Sequence, residues 1–392
     1  MRPVILLSLC SLVPLTFLVL AEGSHGPTRF REHVIEKTIP GGYSVMVTDI
    51  NHDGKPDVVG LTQRSPELAW YENPGWQRHV LINDAEVLSN MAAADTDGDG
   101  VPEIAIQTGF NMVAAKSKGL VFVLNHQGDV LNLWKETKVD EITTAHHIAW
   151  ADIDGDGKKE LINAPLIGAK SLAPKYEDNV SLFWYRTSDW KRQLVDDKLT
   201  GVLHRVRPVH WESGPREQLL TTGFDGIVLH SASGKGDKLT WKHENLSKGQ
   251  AEEEEKKGTS DVAIGHLNGR RFLAAVEAWH GHHVVVYMED SKHVWQRHVI
   301  FSDLKEGHEV VVADFNGDGL DDIVAGDRKG NNVHIFYAQD DKGEKWDHQV
   351  MDEGGMAGSG CVSADLNADK RPDVVCIGSG TANIKWYENL GQ

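Results

Sequence analysis

Short apolar runs recur along this chain, each followed by an acidic turn and a second apolar run. Val45-Met-Val-Thr48 precedes one turn and Val58-Val59 follows it; Val310-Val-Val-Ala313 and Ile323-Val324-Ala325 flank another. A third run has aromatic ends, as in Leu68-Ala-Trp-Tyr71, Leu182-Phe-Trp-Tyr185 and Ile335-Phe-Tyr337. A fourth is usually led by Trp, as in Trp76-Gln-Arg-His-Val80 and Trp295-Gln-Arg-His-Val299. Runs this short and alternating predict β-strands, four to a repeat.

The turns set the period. Five share one spacing of acidic and amide side chains: Asp49, Asn51, Asp53 and Asp57; Asp95, Asp97, Asp99 and Glu103; Asp152, Asp154, Asp156 and Glu160; Asp314, Asn316, Asp318 and Asp322; Asp365, Asn367, Asp369 and Asp373. Oxygen ligands at alternate positions of a tight turn suit a hard cation, so bound Ca²⁺ is expected there, with Asx turns as the alternative. Glycine at position 6 (Gly54, Gly100, Gly157, Gly319) supplies a positive φ, whereas the fifth turn has Lys370. Two degenerate repeats begin at His210 and His266. With them, position 1 falls at residues 49, 95, 152, 210, 266, 314 and 365, spacings that suit one four-stranded propeller blade each. The last repeat stops at its third strand, Ile384-Lys-Trp-Tyr387. Its missing fourth strand is found at the other end of the chain, Phe30-Arg-Glu-His-Val-Ile35. An N-terminal strand that completes the last blade removes both free edges. The expected architecture is a single, closed, all-β, seven-bladed propeller over residues 22–392.

Before it stands a basic Arg2 and an apolar run from Val4 to Leu20, which reads as a secretory signal peptide cut after Ala21. A secreted or periplasmic protein with no membrane insertion after cleavage is expected. A net charge of −18 argues against nucleic acid or an anionic membrane as partner. Cys361 and Cys376 fall on adjacent strands of the last blade, where geometry decides whether they pair.

Candidate chemistry lies on the face opposite the acidic turns. Six residues before position 1 the seven repeats read Tyr43, Ser89, His146, His204, Ser260, His308 and Ser359. Strand A lines the channel, so His146, His204 and His308 are expected to converge and to hold Zn²⁺ or another divalent transition metal. His147 lies beside them, and the loop Glu277-Ala-Trp-His280-Gly-His282-His283 brings His280 to the same face. One of the histidines is a candidate general base, with Tyr43 or a second histidine as the acid, and Arg64 and Arg328 are candidates to orient a substrate. A wet polar channel without chemistry is the alternative. There is no GxSxG, HExxH or phosphate loop.

The acidic turns resemble FG-GAP and VCBS repeats of integrin-α-like propellers. Strings such as Trp70-Tyr-Glu-Asn-Pro74, Trp295-Gln-Arg-His-Val-Ile300 and His308-Glu-Val-Val-Val-Ala-Asp-Phe-Asn-Gly-Asp-Gly319 resemble the propeller domain of aldos-2-ulose dehydratase and its bacterial relatives. That resemblance implies dehydration of a keto-sugar by β-elimination, with metal sites. The sequence thus leaves three readings: a secreted carbohydrate lyase, a non-catalytic propeller that binds a glycan or protein on its loop face, and a purely structural protein. The oligomeric state is left open.

Overall fold

A computed structural model describes residues 26–251 and 256–392. The proposed signal peptide lies outside the described residues. Among these, no helix is long and apolar enough to cross a membrane.

Seven four-stranded antiparallel sheets form the blades of a propeller. Blade one is typical, with strands A to D at Gly42–Thr48, Asp57–Thr62, Leu68–Glu72 and Gln77–Ile82. Closure follows the expected route: Phe30–Glu36 pairs antiparallel with Ile384–Asn389, Phe30 opposite Asn389 and His33 opposite Trp386. One apolar cluster spans each junction between neighbouring blades. Trp70, Leu81, Leu88 and Ile106 join blades one and two, and Val58, Tyr71, Val375 and Ile384 join blades seven and one. Fully burying one such side chain contributes about 1.5–3 kcal/mol, so the core is the set of junctions rather than one central mass. Cys361 and Cys376 are directly opposed on strands A and B of blade seven and form a disulfide.

The acidic turns adopt the tight geometry their spacing predicts. The position-1 carboxylates accept backbone N–H groups from within the turn: Asp49 from Asp53 and Gly54, and Asp314 from Gly317, Asp318 and Gly319. Position 6 is left-handed, at φ +83° for Gly54 and +68° for Lys370, which holds this conformation without glycine. Position 9 is buried and has a job of its own. Asp57, Asp322 and Asp373 each accept the N–H of position 2 and the N–H at the end of strand C. Burial pushes these carboxyls up, Asp57 to about 6 and Asp322 to about 8. Degenerate blade four keeps the same clasp with an amide, the N–H of Trp211 donating to Gln218 Oε1 at 2.9 Å. Blade five replaces the turn by a two-residue hairpin in which Asn268 and Gly269 both have positive φ. The WYEN string links blades: Asn73 Nδ2 donates to the Leu366 carbonyl of blade seven, and Asn389 Nδ2 to the Phe315 carbonyl of blade six, both at 2.8 Å.

Candidate active site on the channel face

The A strands carry the site on a repeated irregularity. Pairing with strand B slips at Gly42/Ser44, Ala145/His147, Leu203/Arg205, Gly307/Val310 and Gly358/Gly360. Tyr43, His146, His204, His308 and Ser359 therefore occupy the extra positions of β-bulges. A bulge leaves its residue out of the ladder and re-aims the side chain. In blades two and five the equivalent Ser89 and Ser260 precede the strand, and their N–H groups donate to Gln107 and Val276 carbonyls.

The buried imidazoles meet as expected, with one exchange. His204, His280 and His308 offer ring nitrogens that all lie within 4.8 Å of one another. Ring centroids are 5.0–5.1 Å apart for each pair. His146, expected as a ligand with His204 and His308, is outside this set. Its ring lies 5.2 Å from that of His204, but its Nε2 is engaged 2.8 Å from the hydroxyl of Tyr43. His280 takes its place from the B–C loop of blade five, where it holds a left-handed φ of +51°. It is half-buried, whereas His204 and His308 are 1% and 2% exposed, so His280 closes the cluster on its solvent side.

Backbone carbonyls set the tautomers. His204 Nδ1 donates to the Ser260 carbonyl at 2.8 Å, and His308 Nδ1 to that of Ser359 at 2.5 Å. A carbonyl can only accept, so both neutral rings keep their lone pairs on Nε2. His308 Nε2 is buried without a hydrogen-bonding partner among the described residues. His280 Nε2 faces His204 Nε2 at 3.2 Å, and its Nδ1 faces Glu306 Oε1 at 4.0 Å. Moving the His280 hydrogen to Nδ1 frees a third lone pair, directed at the other two. Burial, followed by neighbouring cationic groups, pushes the rings toward the neutral form: His308 to about 4, His146 to about 3, and His204 and His280 well below the usual imidazole value. This donor set fits a divalent transition metal, with carbonyls and a carboxylate behind the ligands. Burial likewise raises Tyr43 to about 12, so its phenol stays protonated and donates to His146 Nε2.

Charged groups surround the cluster in pairs. Arg205 contacts Asp261 at 3.0 Å and Glu309 at 2.7 Å, and Arg207 grips Asp261 at 2.9 and 2.6 Å. This network ties the A strands of blades four, five and six. His147 is buried, and Arg205 and Arg207 add to burial in keeping it neutral. Arg328 bonds Glu306 and lies close enough to influence Tyr43, His146 and His280. Arg64 is not part of the cluster. It is exposed and lines a groove of about 400 Å³ with Glu36, Thr38 and Arg78, beside the outer strands of blades one and seven.

Glu306, Phe110 and Phe224 escaped the sequence reading. Glu306 precedes strand A by one residue and has no counterpart in the repeat. Phe110, Tyr176, Phe224 and Trp279, from the B–C loops of blades two to five, form an apolar collar in which Phe110 packs against His146 and Trp279 against His204 and His280. The adjacency Trp279-His280 was the visible signal.

On the acidic face, the carboxylates of Asp95, Asp97 and Asp99 converge within 4.8 Å, as do those of Asp152, Asp154 and Glu160. These turns lie at the far ends of the A strands from the histidines.

Comparison with known proteins agrees with this layout. Residues 49–106 and 314–376 match the FG-GAP-like repeat, and residues 118–290 match the β-propeller domain of aldos-2-ulose dehydratase. The second stretch contains His146, His147, His204 and His280 but neither Tyr43 nor His308. A segment of 130 residues is 30% identical to integrin alpha pat-2 of Caenorhabditis briggsae, covering 30% of this chain and 10% of the relative. Another of 74 residues is 35% identical to integrin alpha pat-2 of Caenorhabditis elegans, covering 18% and 6%. The matches span a tenth or less of these relatives' length. The protein is a seven-bladed β-propeller carrying FG-GAP-like repeats, and its middle blades are similar to the propeller domain of aldos-2-ulose dehydratase.

Proposed function

We propose that the protein is a secreted carbohydrate lyase that eliminates water or an alcohol from a keto-sugar or keto-glycoside at the channel-face histidines. The observation that carries this reading is the convergence of His204, His280 and His308, with the lone pairs of His204 and His308 set on Nε2 by the Ser260 and Ser359 carbonyls. The match of residues 118–290 to a domain named for a dehydratase supports it.

His204, His280 and His308 would hold a divalent transition metal, which supplies Lewis acidity toward a sugar carbonyl when bound. Tyr43 and His146 handle the protons. Tyr43 Oη accepts the proton α to the carbonyl while passing its own to His146 Nε2, so no free phenolate forms. The electron pair of the C–H bond becomes the new C=C bond as the β-oxygen departs. Nε2 then returns its proton through Tyr43 to that oxygen, which leaves as water or alcohol. The aromatic collar excludes bulk water, and Arg328, tied to Glu306, orients the sugar. The acidic turns remain proposed structural Ca²⁺ sites, and residues 1–21 a proposed export signal.

Metal analysis of purified protein, with assay on 1,5-anhydrofructose and 3-keto-glycosides, tests the reading. It requires a metal lost in His308→Ala and an unsaturated product. Absence of both defeats it and favours a binding propeller, the reading to which the integrin similarity points.

A further inference from the structure

We infer that Asp196, His230 and His243 form a second divalent-metal site, which clips blade three to blade four. The site is independent of the channel histidines and of the proposed activity. Asp196 lies on strand D of blade three (Gln193–Thr200), and His230 and His243 lie on strands C and D of blade four (Gly226–Ser233, Thr240–Ser247). The two histidines are directly opposed in the ladder. Their Nδ1 atoms are 2.8 Å apart, and Asp196 Oδ2 stands 3.7 Å from His230 Nδ1 and 3.4 Å from His243 Nδ1.

The surroundings free these atoms to coordinate. Asp196 spends its other oxygen on the N–H of Lys198 at 2.9 Å. His230 Nε2 lies 2.8 Å from the Thr221 hydroxyl, which can accept its hydrogen and leave Nδ1 with the lone pair. Such second partners fix a ligand's tautomer. Tetrahedral Zn²⁺ with bonds of about 2.0–2.1 Å places its ligand atoms roughly 3.4 Å apart. The Asp196 distances already suit that, and the two Nδ1 atoms need part by only about half an ångström. His230 and Asp196 are buried, but the His243 side chain is 34% exposed and offers both the slack and an entry path. Without a metal, His243 Nδ1 carries the hydrogen that bridges the pair, and coordination would move it to that ring's Nε2, on the partly exposed side.

A superficially similar pair shows what is special here. His334 Nδ1 lies 2.9 Å from His348 Nε2 in blade six, but the nearest carboxylate, Asp327, is 4.0 Å from the other nitrogen of His334. Of these two pairs, only the one at the junction of blades three and four has a carboxylate aimed at the shared gap. Two imidazoles and one carboxylate favour Zn²⁺, Co²⁺ or Ni²⁺ over Ca²⁺.

The test uses the full chain stripped by chelator and titrated with Zn²⁺ or Co²⁺. Stoichiometry, visible Co²⁺ absorption and the metal-induced rise in Tm are read for wild type, His243→Gln, Asp196→Asn and His308→Ala. The inference expects His243→Gln and Asp196→Asn each to lose one equivalent or weaken it at least tenfold, whereas His308→Ala keeps it. Unchanged stoichiometry and affinity in His243→Gln, a change at a partly exposed side chain whose folding is checked by circular dichroism, overturns it, whatever Asp196→Asn does. Loss in His308→Ala alone would leave the channel site standing and sink this one.

Discussion

The hydroxyl of Tyr43 lies 2.8 Å from Nε2 of His146, although the residues are 103 positions apart and a whole blade separates their strands. The intervening blade makes this possible. Its equivalent residue is Ser89, whose short side chain turns to the Ala145 carbonyl at 3.0 Å, so the longer tyrosine reaches across it.

Tyr43→Phe removes only the oxygen and keeps the ring that packs against His308. If the pair shuttles the α-proton, kcat falls about 10²- to 10⁴-fold, the usual worth of a positioned acid–base group. Bound metal and KM stay near wild type. Steady-state kinetics on a substrate found active, with metal content measured alongside, decides this. An unchanged kcat removes Tyr43 from the chemistry.

Glu306 acts through His280. Its Oε1 faces His280 Nδ1 at 4.0 Å and also pairs with Arg328, while its Oε2 bonds Lys329 at 2.5 Å. Glu306→Gln keeps the shape but weakens the pull on the Nδ1 hydrogen. Metal affinity should fall about 10- to 100-fold, as for other carboxylates behind metal-bound histidines. Competition against a chromophoric chelator measures it, and a loss below about threefold would mean that Glu306 serves only Arg328 and Lys329.

The ring of blades was legible because its punctuation is chemical: Asp, Asn and Gly at fixed offsets leave a turn few alternatives. The convergence of His204 with His308 followed from one register applied to each repeat. That register could not say which imidazole is diverted. Side-chain reach in other blades decides this, and Tyr43 takes up His146 while His280 arrives from a loop. The bulges under Tyr43, His146, His204, His308 and Ser359 have no residue signature, since any residue can be the extra one. Arg64 shares the loop position of useful residues but is drawn outward to the groove near Glu36. The Asp196–His230–His243 group was invisible because its members lie on outer strands of two blades, brought together only by the way blades stack.

Acid should erase the buried imidazoles' contribution to the stability of the metal-free protein, starting near pH 6.5. His146, His308 and His230 have folded-state values of about 3, 4 and 3, all depressed mainly by burial. In the unfolded chain each titrates near 6.5. The unfolded state therefore binds protons first, so stability is full above about pH 6.5 and is lost as pH falls toward the folded values. At pH 5 each such imidazole costs about 2 kcal/mol. Urea unfolding in chelator between pH 7.5 and 5 measures the slope. His230→Gln, outside the channel, should remove its share if the variant folds. The buried carboxyls of Asp57 and Asp322, held up at about 6 and 8, act in the opposite sense over the same interval, so the readout is the difference between wild type and His230→Gln, and a difference that does not change with pH would show that the ring accepts its proton in place.

Asn73 and Asn389 hold neighbouring blades through equivalent bonds. Asn389 Nδ2 donates to Phe315 O at 2.8 Å and Pro372 O at 3.0 Å, and Asn73 Nδ2 to Leu366 O at 2.8 Å and Pro56 O at 3.0 Å. Both asparagines are buried, 5% exposed at Asn73 and 0% at Asn389, so an alanine leaves carbonyls without donors in a place that admits little water. Each unsatisfied group costs about 1–3 kcal/mol. Asn389→Ala and Asn73→Ala should therefore each destabilise by about 2–4 kcal/mol. The two lie at different junctions and share no partner, so the double variant should add the single effects to within about 0.5 kcal/mol. Denaturant midpoints at constant slope measure this. A double variant far less destabilised than the sum would mean that breaking one junction already opens the ring, so that closure by the Phe30–Glu36 strand, rather than each junction separately, limits stability.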